Sequence, residues 1–569
     1  MDILSELHKL TFTNLQTKTV CKLQLRDSQL CIIGDDDNEQ KAKFVSYEDI
    51  VGVKVNKRAE MGDFQYFIDM YAYPSFKTLL SSKFTRKRLH LSLTLNEQDG
   101  FTSHQVLLLL REAILGKMSP QCDDMVFRSN KPILVLLNPV AGKGFAKKLF
   151  DEKILPMLKE AEMVYQLIVT ERNGHGMEIA RTIDLTELCG LVIVSGDGLL
   201  HEVLQGLMSR PDAEQAIQTP IGILPAGSGN ALCCTLNYAA GEPFAYDILV
   251  HSTYLLLKRT LKPMDLVLLN TTAGPIYSFL SVTWGLVADI DIESERFRRL
   301  GILRFKLEAL YRIAKPRSYK GRLSFLPVQP YVTKGRSKTE IVVTAQEPES
   351  EVVDTSSRVR SVSMPHSPSK AMSVPEFSHD TTSDKSPINV VPEEIISTHN
   401  GSVPSNSPLS SENETLSRST ESHSEKASPI LTSSKEMRTP VVDLNMPSLG
   451  EPVPGDWVTI DDNFVTVIAA YQTHLGPDQM VTPFASLSDG LIHLLFIRPP
   501  VTRMVMLGLL GDFETGAHLR RDVVEYVRVH AFRLEPHASD GNLVVDGEKI
   551  KFGAIQGRVL PNRARILTK

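Results

Sequence analysis

An aspartate held between two glycines, Ser195-Gly196-Asp197-Gly198, is the feature of this sequence best suited to chemistry. Glycine on either side lets backbone and ligand come close to the carboxylate. Standing exposed at a sheet edge, such an acid can take the proton of a substrate hydroxyl or hold Mg2+. An Asp-Gly turn whose aspartate caps a helix is the alternative. Two more glycine-rich segments lie nearby in sequence, Asn138-Pro139-Val140-Ala141-Gly142-Lys143-Gly144 and Pro225-Ala226-Gly227-Ser228-Gly229-Asn230. Either could offer backbone N–H groups to a phosphate at the head of a helix. The first is not a P-loop, because GxxxxGK[ST] needs Ser or Thr after the lysine and Gly144 stands there. A structural turn explains that segment equally well.

Each segment follows a short apolar run: ILVLL (133–137), GLVIV (190–194) and IGIL (221–224). A fourth run, VYQLIV (164–169), leads into a polar loop of its own. Nearly all-apolar strands alternating with helical stretches predict a parallel sheet covered on both faces. Ligands in such sheets sit beyond the carboxyl ends of the strands. Three glycine-rich loops at one end, one carrying an acid, suit a nucleotide bound across several strand ends.

The rest of the 569-residue chain must position those loops. Residues 8–96 carry alternating segments such as KLQLRDSQLCII and RLHLSLTL, then the helical stretch SHQVLLLLREAIL. This predicts a pleckstrin-homology-like antiparallel module over 1–125, or a small antiparallel sheet docked on the next domain. An α/β nucleotide-binding domain over 131–260 follows. Residues 261–343 and 450–569 again read as strands and predict a second, antiparallel, sandwich-like domain split by an insert. That insert, 344–449, is rich in Ser, Thr, Pro and Glu with Phe377 its one aromatic, and is expected to be disordered.

A formal net charge of −5 gives no field for nucleic acid. Six scattered cysteines without a CxxC pair argue against a zinc site or a disulfide framework and fit a reducing compartment. The opening MDILSELHKL lacks a signal-peptide pattern, and no apolar run approaches the ~20 residues that span a bilayer. The expectation is a cytoplasmic protein with reversible peripheral membrane association. Lys83, Arg86, Lys87 and Arg88 could meet anionic headgroups, or form a solvated loop. Arg360-Ser361-Val362-Ser363-Met364-Pro365 fits a phosphoserine-dependent adaptor at Ser363.

NPxxGKG, SGDG with LxHE, and PAGSGNAL, in this order and spacing, resemble the diacylglycerol-kinase-type catalytic domain of lipid kinases. The segments SVTWGLVADIDIESERFRRLGILRF (281–305), SDGLIHLLFIRP (488–499) and VVDGE (544–548) resemble sphingosine kinases in particular. The resemblance implies ATP and Mg2+ as cofactors and a sphingoid base as substrate. A ceramide or diacylglycerol kinase and a non-catalytic lipid-binding scaffold are the alternatives. Asp197 would take the proton of the lipid's primary hydroxyl as it attacks the γ-phosphate.

By the same resemblance, Asn138, Thr170, Arg172, Ser195, Gly196, Gly198, Gly227, Ser228 and Gly229 would line the nucleotide. Arg298 and Arg304 would contact its phosphates, or pair with Glu293 or Glu295 along a helix. Asp546, Gly547 and Glu548 would return to the nucleotide, with Asp546 a candidate for Mg2+. Asp291 would bind the ammonium of a sphingoid base by a charge-assisted hydrogen bond, with Asp289 and Ser281 helping to hold the headgroup. Glu202 and Glu295 are expected to support these groups, Glu202 by anchoring the amides of its own loop or Lys143.

Overall fold

The computed structural model describes residues 10–34, 39–60, 63–77, 84–96, 103–118, 131–301, 303–332 and 446–569. Ser363, residues 344–445 of the expected insert, and Lys83 lie outside the described residues. No described helix is long and apolar enough to cross a membrane.

Seven antiparallel strands between Thr11 and Leu95 form the first sheet. Helix α1 (Ser103–Met118) closes it by burying Val106, Leu107, Leu110 and Ile114. The sheet docks tightly on the segment that follows. A Cβ on Gly52 would fall 1.9 Å from the carbonyl oxygen of Glu160, so only glycine fits there.

The basic cluster departs from both sequence expectations. Arg86 faces neither headgroups nor solvent; it is buried and donates to both oxygens of Glu242, at 2.5 and 3.0 Å. It also donates to Asp49 at 2.8 Å and lies 3.6 Å over the Tyr254 ring. His251 bonds the same Glu242 carboxylate at 2.7 Å. Burial alone would raise the pKa of Glu242, but its bonds to His251 and Arg86 outweigh this and hold it at about 2. Arg88 pairs with Glu160. Two of the four cations therefore tie the first sheet to its neighbour.

Four strands make the parallel sheet: β1 (Ile133–Leu137), β2 (Tyr165–Val169), β3 (Gly190–Ser195) and β4 (Ile221–Pro225), in the order β2-β1-β3-β4. Alternate residues enter opposite cores. Leu134, Leu136 and Ile193 face helices α2 (His175–Thr182), α3 (Asp197–Met208) and α4 (Ala231–Ala239). Val135, Val192 and Val194 face the helical stretch 146–160 and α5 (Ile248–Leu257). Burial on both sides is why β1, β3 and β4 read as unbroken apolar runs, whereas β2, at the sheet edge, is partly exposed.

Eleven further strands continue this sheet and pair antiparallel with one another. They are β5 (Thr260–Thr271), β6 (Gly274–Ser278), β7 (Ser281–Gly285), β8 (Tyr319–Pro327), β9 (Val458–Phe464), β10 (Thr466–Ala470), β11 (Ile492–Ile497), β12 (Val524–Pro536), β13 (Leu543–Val545), β14 (Glu548–Lys549) and β15 (Ile555–Thr568). Only β15 touches the parallel set, running parallel to β4 at Ile221 and Ile566 and antiparallel to β5 and β12. One continuous mixed sheet results, β2-β1-β3-β4-β15-β12-β11-β10-β7-β13-β14, with β5, β6, β8 and β9 branching from it. Three helices lie against its far end: α6 (Leu286–Glu293), α7 (Leu303–Ala314) and α8 (Arg503–Asp512). The apolar run MVMLGLL (504–510), far too short to span a membrane, is part of α8.

Removing Arg86 should leave the buried carboxylate of Glu242 without its strongest partner. Arg86→Ala is expected to lower the unfolding free energy by about 3–5 kcal/mol in a denaturant titration. A loss below about 1 kcal/mol would show that the pair does not hold the first sheet in place.

Candidate active site

The glycine-rich loops after β1, β3 and β4 converge, as their placement at strand ends requires. The Asn138 N–H donates to the Val194 carbonyl at 3.2 Å, tying the first loop to the second. The second and third touch through glycine alone: a Cβ on Gly227 would come 2.4 Å from the Cα of Gly196. Asn230 stitches the third loop by bonding both the N–H and the C=O of Gly227, each at 2.9 Å. Its own backbone sits in the left-handed region, at φ 52°.

Asp197 opens α3, yet its carboxylate serves a different helix. It accepts the N–H groups of Ala231 at 2.8 Å and Leu232 at 3.1 Å, the first turn of α4. The first amides of a helix lack intrahelical partners and carry its positive dipole end, so the acid is fixed in place. It is therefore half-buried and capped, not bare as its glycine flanks suggested. Asp197 thus caps a helix, though not its own, and also lines a cavity. Burial pushes its pKa up, the two α4 amides oppose this, and the net shift is upward.

That cavity has a volume of about 570 Å3. Its polar end is walled by Asn138, Ser195, Gly196, Gly198, Gly227, Ser228 and Gly229. From the other side Glu548 folds over the Asp197 loop, and a Cβ on Gly198 would lie 2.4 Å from its Oε1. Burial, then repulsion from Glu202, Glu295 and Asp546, raises the pKa of Glu548 despite His201. Gly547 carries a positive φ of 84° at this turn.

Asp546 corrects an expectation. Its carboxylate is fully buried and accepts five donors: Ser278 Oγ–H at 2.6 Å, His201 Nδ1 at 2.9 Å, and the N–H groups of Phe279, Leu280 and Ser281 at 3.3, 2.9 and 3.1 Å. With so many lone-pair directions taken, it anchors the turn between β6 and β7 and has no room as a Mg2+ ligand. Burial would lower the pKa of His201, but Asp546 outweighs it and the net shift is upward. Sequence reasoning did not single out His201, although it sits in the LxHE motif itself.

Asp291 and Ser281 line the middle of the cavity. Burial pushes Asp291 up to about 7, Arg304 offsetting only part of this. Among the described residues its carboxylate has no ion-pair partner; the nearby Arg304 is paired with Glu295. Arg304 lines the cavity while paired with Glu295, and its Nε is buried with no hydrogen-bond partner among the described residues. Asp289 does not help with a headgroup. Two residues away on α6 it faces elsewhere, and accepts from Arg317 and Tyr319 at 2.6 Å each and from Asn542 at 2.9 Å.

Other carried-over residues also fall outside the cavity. Thr170 is buried with its N–H on the Leu137 carbonyl at 2.8 Å, and Arg172 pairs with Glu178 in solvent; Asn173 lines the cavity instead. Glu202 lines it but anchors the Gly176 N–H of α2 at 3.0 Å, not its own loop. The side chain of Arg298 lies outside the described residues. Beyond Asp291 the walls turn apolar, with Ile290, Phe305, Ile313, Leu509 and Phe513 among them. The stretch RFKLEALYRIA (304–314) lies in α7 and supplies Phe305 and Ile313, while Leu509 comes from α8.

Residues 132–268 match the diacylglycerol kinase catalytic domain, and residues 453–568 match the YegS C-terminal NAD kinase beta sandwich-like domain. Human sphingosine kinase 1 is 36% identical over 436 residues, covering 76% of this chain and 89% of that protein. Human sphingosine kinase 2 is 35% identical over 483 residues, covering 77% and 71%. The chain belongs to the sphingosine kinase family. Sphingosine kinase 1 of Caenorhabditis elegans is 30% identical over 432 residues, covering 74% and 78%. In this sphingosine kinase family member the acidic VVDGE motif thus divides its labour: Asp546 holds the fold, and Glu548 faces the loops.

Asp546→Asn would put an NH2 group among five donors. It is expected to cost about 3–5 kcal/mol of unfolding free energy in a denaturant titration. A cost below about 1 kcal/mol would mean that the turn does not depend on this carboxylate.

Proposed function

We propose that this chain transfers the γ-phosphoryl group of ATP to the primary hydroxyl of a sphingoid base such as sphingosine. Asp291 carries the reading: a carboxylate at the start of an apolar channel, without a cation of its own, raised to about 7 by burial. A base with an ammonium beside its reactive hydroxyl supplies the missing charge. Ceramide and diacylglycerol are neutral there and leave the carboxylate unpaired. The channel beyond would take the alkyl tail, at about 0.8 kcal/mol per buried CH2.

In the reaction the lipid hydroxyl gives its proton to the Asp197 carboxylate. Its oxygen bonds to the γ-phosphorus, the bond to the β–γ bridging oxygen breaks, and ADP leaves. Phosphoryl transfer is loose, so positioning outweighs basicity, and the α4 amides supply that positioning. Backbone N–H groups at Gly196, Gly198, Ser228 and Gly229 line the polar end and would meet phosphate oxygens. Mg2+ fits the polar end, because Glu548 sits among the like charges of Glu202 and Glu295. Among the described residues no three His, Cys, Asp or Glu converge as a cage, which accords with a cation held largely through nucleotide phosphates. When bound, it would neutralise charge on the β and γ phosphates.

The two helices that wall the channel, α7 and α8, expose Leu303, Leu307, Leu310, Met504 and Leu507. This apolar rim, in place of the N-terminal basic cluster, supports reversible contact with an anionic membrane from the cytoplasm. Seven antiparallel strands with a closing helix support a pleckstrin-homology-like reading of residues 1–125.

Transfer from labelled ATP to sphingosine, ceramide and diacylglycerol tests the proposal. Sphingosine should be preferred, and Asp197→Asn should lower kcat by about 10²–10⁴-fold. Asp291→Asn should lower kcat/KM for sphingosine by roughly 10–100-fold. Because the Asp291 pKa is raised, protonation as pH falls below about 7 removes the anion that binds ammonium. KM should therefore rise from pH 8 to pH 6 in the parent and stay flat in Asp291→Asn. Preference for a neutral lipid, with Asp291→Asn harmless, would contradict the substrate assignment.

A further inference from the structure

Thr283 follows Ser281 by two residues on β7, so the two side chains project from one face of the strand. Both line the cavity, while Val282 and Trp284 enter the core behind. The flanking strands place Ile468 and Val544 opposite Thr283, and both of these line the cavity too. The row across three strands is Ile468–Thr283–Val544, with one polar side chain between two apolar ones. Thr283 is 4% exposed, and its Oγ1 has no hydrogen-bond partner among the described residues.

A buried hydroxyl without a partner is destabilising, and valine would fill the same space without that cost. Rotation about χ1 can turn the hydroxyl between wall and lumen among staggered positions. Thr283 stands about 7 Å along the strand from Ser281, on the way from the headgroup end to Leu286 and Val287 of the channel. We infer that Thr283 hydrogen-bonds a hydroxyl that the substrate chain carries one or two carbons beyond its amine. It is thereby a specificity-determining residue that favours hydroxylated sphingoid bases. The inference rests on the sphingoid-base reading and extends it.

Three saturated bases of equal length serve as probes: 2-aminooctadecan-1-ol, sphinganine and 4-hydroxysphinganine. The parent should use at least one hydroxylated base about 3- to 10-fold better in kcat/KM than 2-aminooctadecan-1-ol. Thr283→Val should bring that ratio to within about twofold of unity, and Thr283→Ser, which keeps the hydroxyl, should preserve it. An unchanged ratio in Thr283→Val overturns the inference and leaves the sphingoid reading intact. Absence of any preference in the parent overturns it as well, whether or not the valine variant folds. Failure of the parent to phosphorylate all three bases would sink the sphingoid reading itself, and the inference with it.

Discussion

A single buried carboxylate, Asp546, ties together parts of the chain more than 340 residues apart. Its five donors come from His201 on α3 and from the turn that joins β6 to β7. An ionised carboxylate taken out of water without partners is heavily penalised, so the β13–β14 hairpin has one place where it can settle. Settling there brings Glu548 over Gly198 and starts β7 at Ser281, with Thr283 behind it. The polar end and the lipid end of the cavity therefore share one anchor. Without it the β13–β14 hairpin would lose its anchor against the Asp197 loop.

The second constraint is the fit of backbone to backbone. Gly196 and Gly227 bring two loops into contact that any side chain would separate. That contact lets the acid at the head of α3 reach the amides at the head of α4. Asp197 and Asp291 then line one cavity in different surroundings. Asp197 holds two backbone donors, which support its charge against burial; Asp291 has none and is left to a ligand. Separate environments for two carboxylates suit the separate roles proposed for them, one to receive a proton and the other to bind a cation.

Features governed by local pattern were legible in the sequence. The four apolar runs became the parallel strands, and their glycine-rich loops met at one end. Asp197, Asp291 and Glu548 reached one cavity, as the resemblance implied. What escaped was set by helix phase and by long-range pairing. Asp289 and Asp291 differ by two positions, about 200° on a helix, so one faces the cavity and the other a buried cluster. Arg86 reads as a member of a basic loop until Glu242, 156 residues away, lies beside it. Asp546 looks like a metal ligand until its donors are counted. The α8 run carried an apolar signal, but no periodicity tells a channel wall from an ordinary core helix.

The central claim is that an unpaired, buried carboxylate selects a charged lipid, and proton exchange on binding tests it most directly. A short-chain sphingoid base would be titrated into the parent and into Asp291→Asn by calorimetry at pH 7, in two buffers of different ionisation enthalpy. With the Asp291 pKa at about 7, the parent should release about half a proton more than the variant as the ammonium fixes the carboxylate in its charged form. Equal proton release by the two proteins, with binding intact in both, would contradict the account.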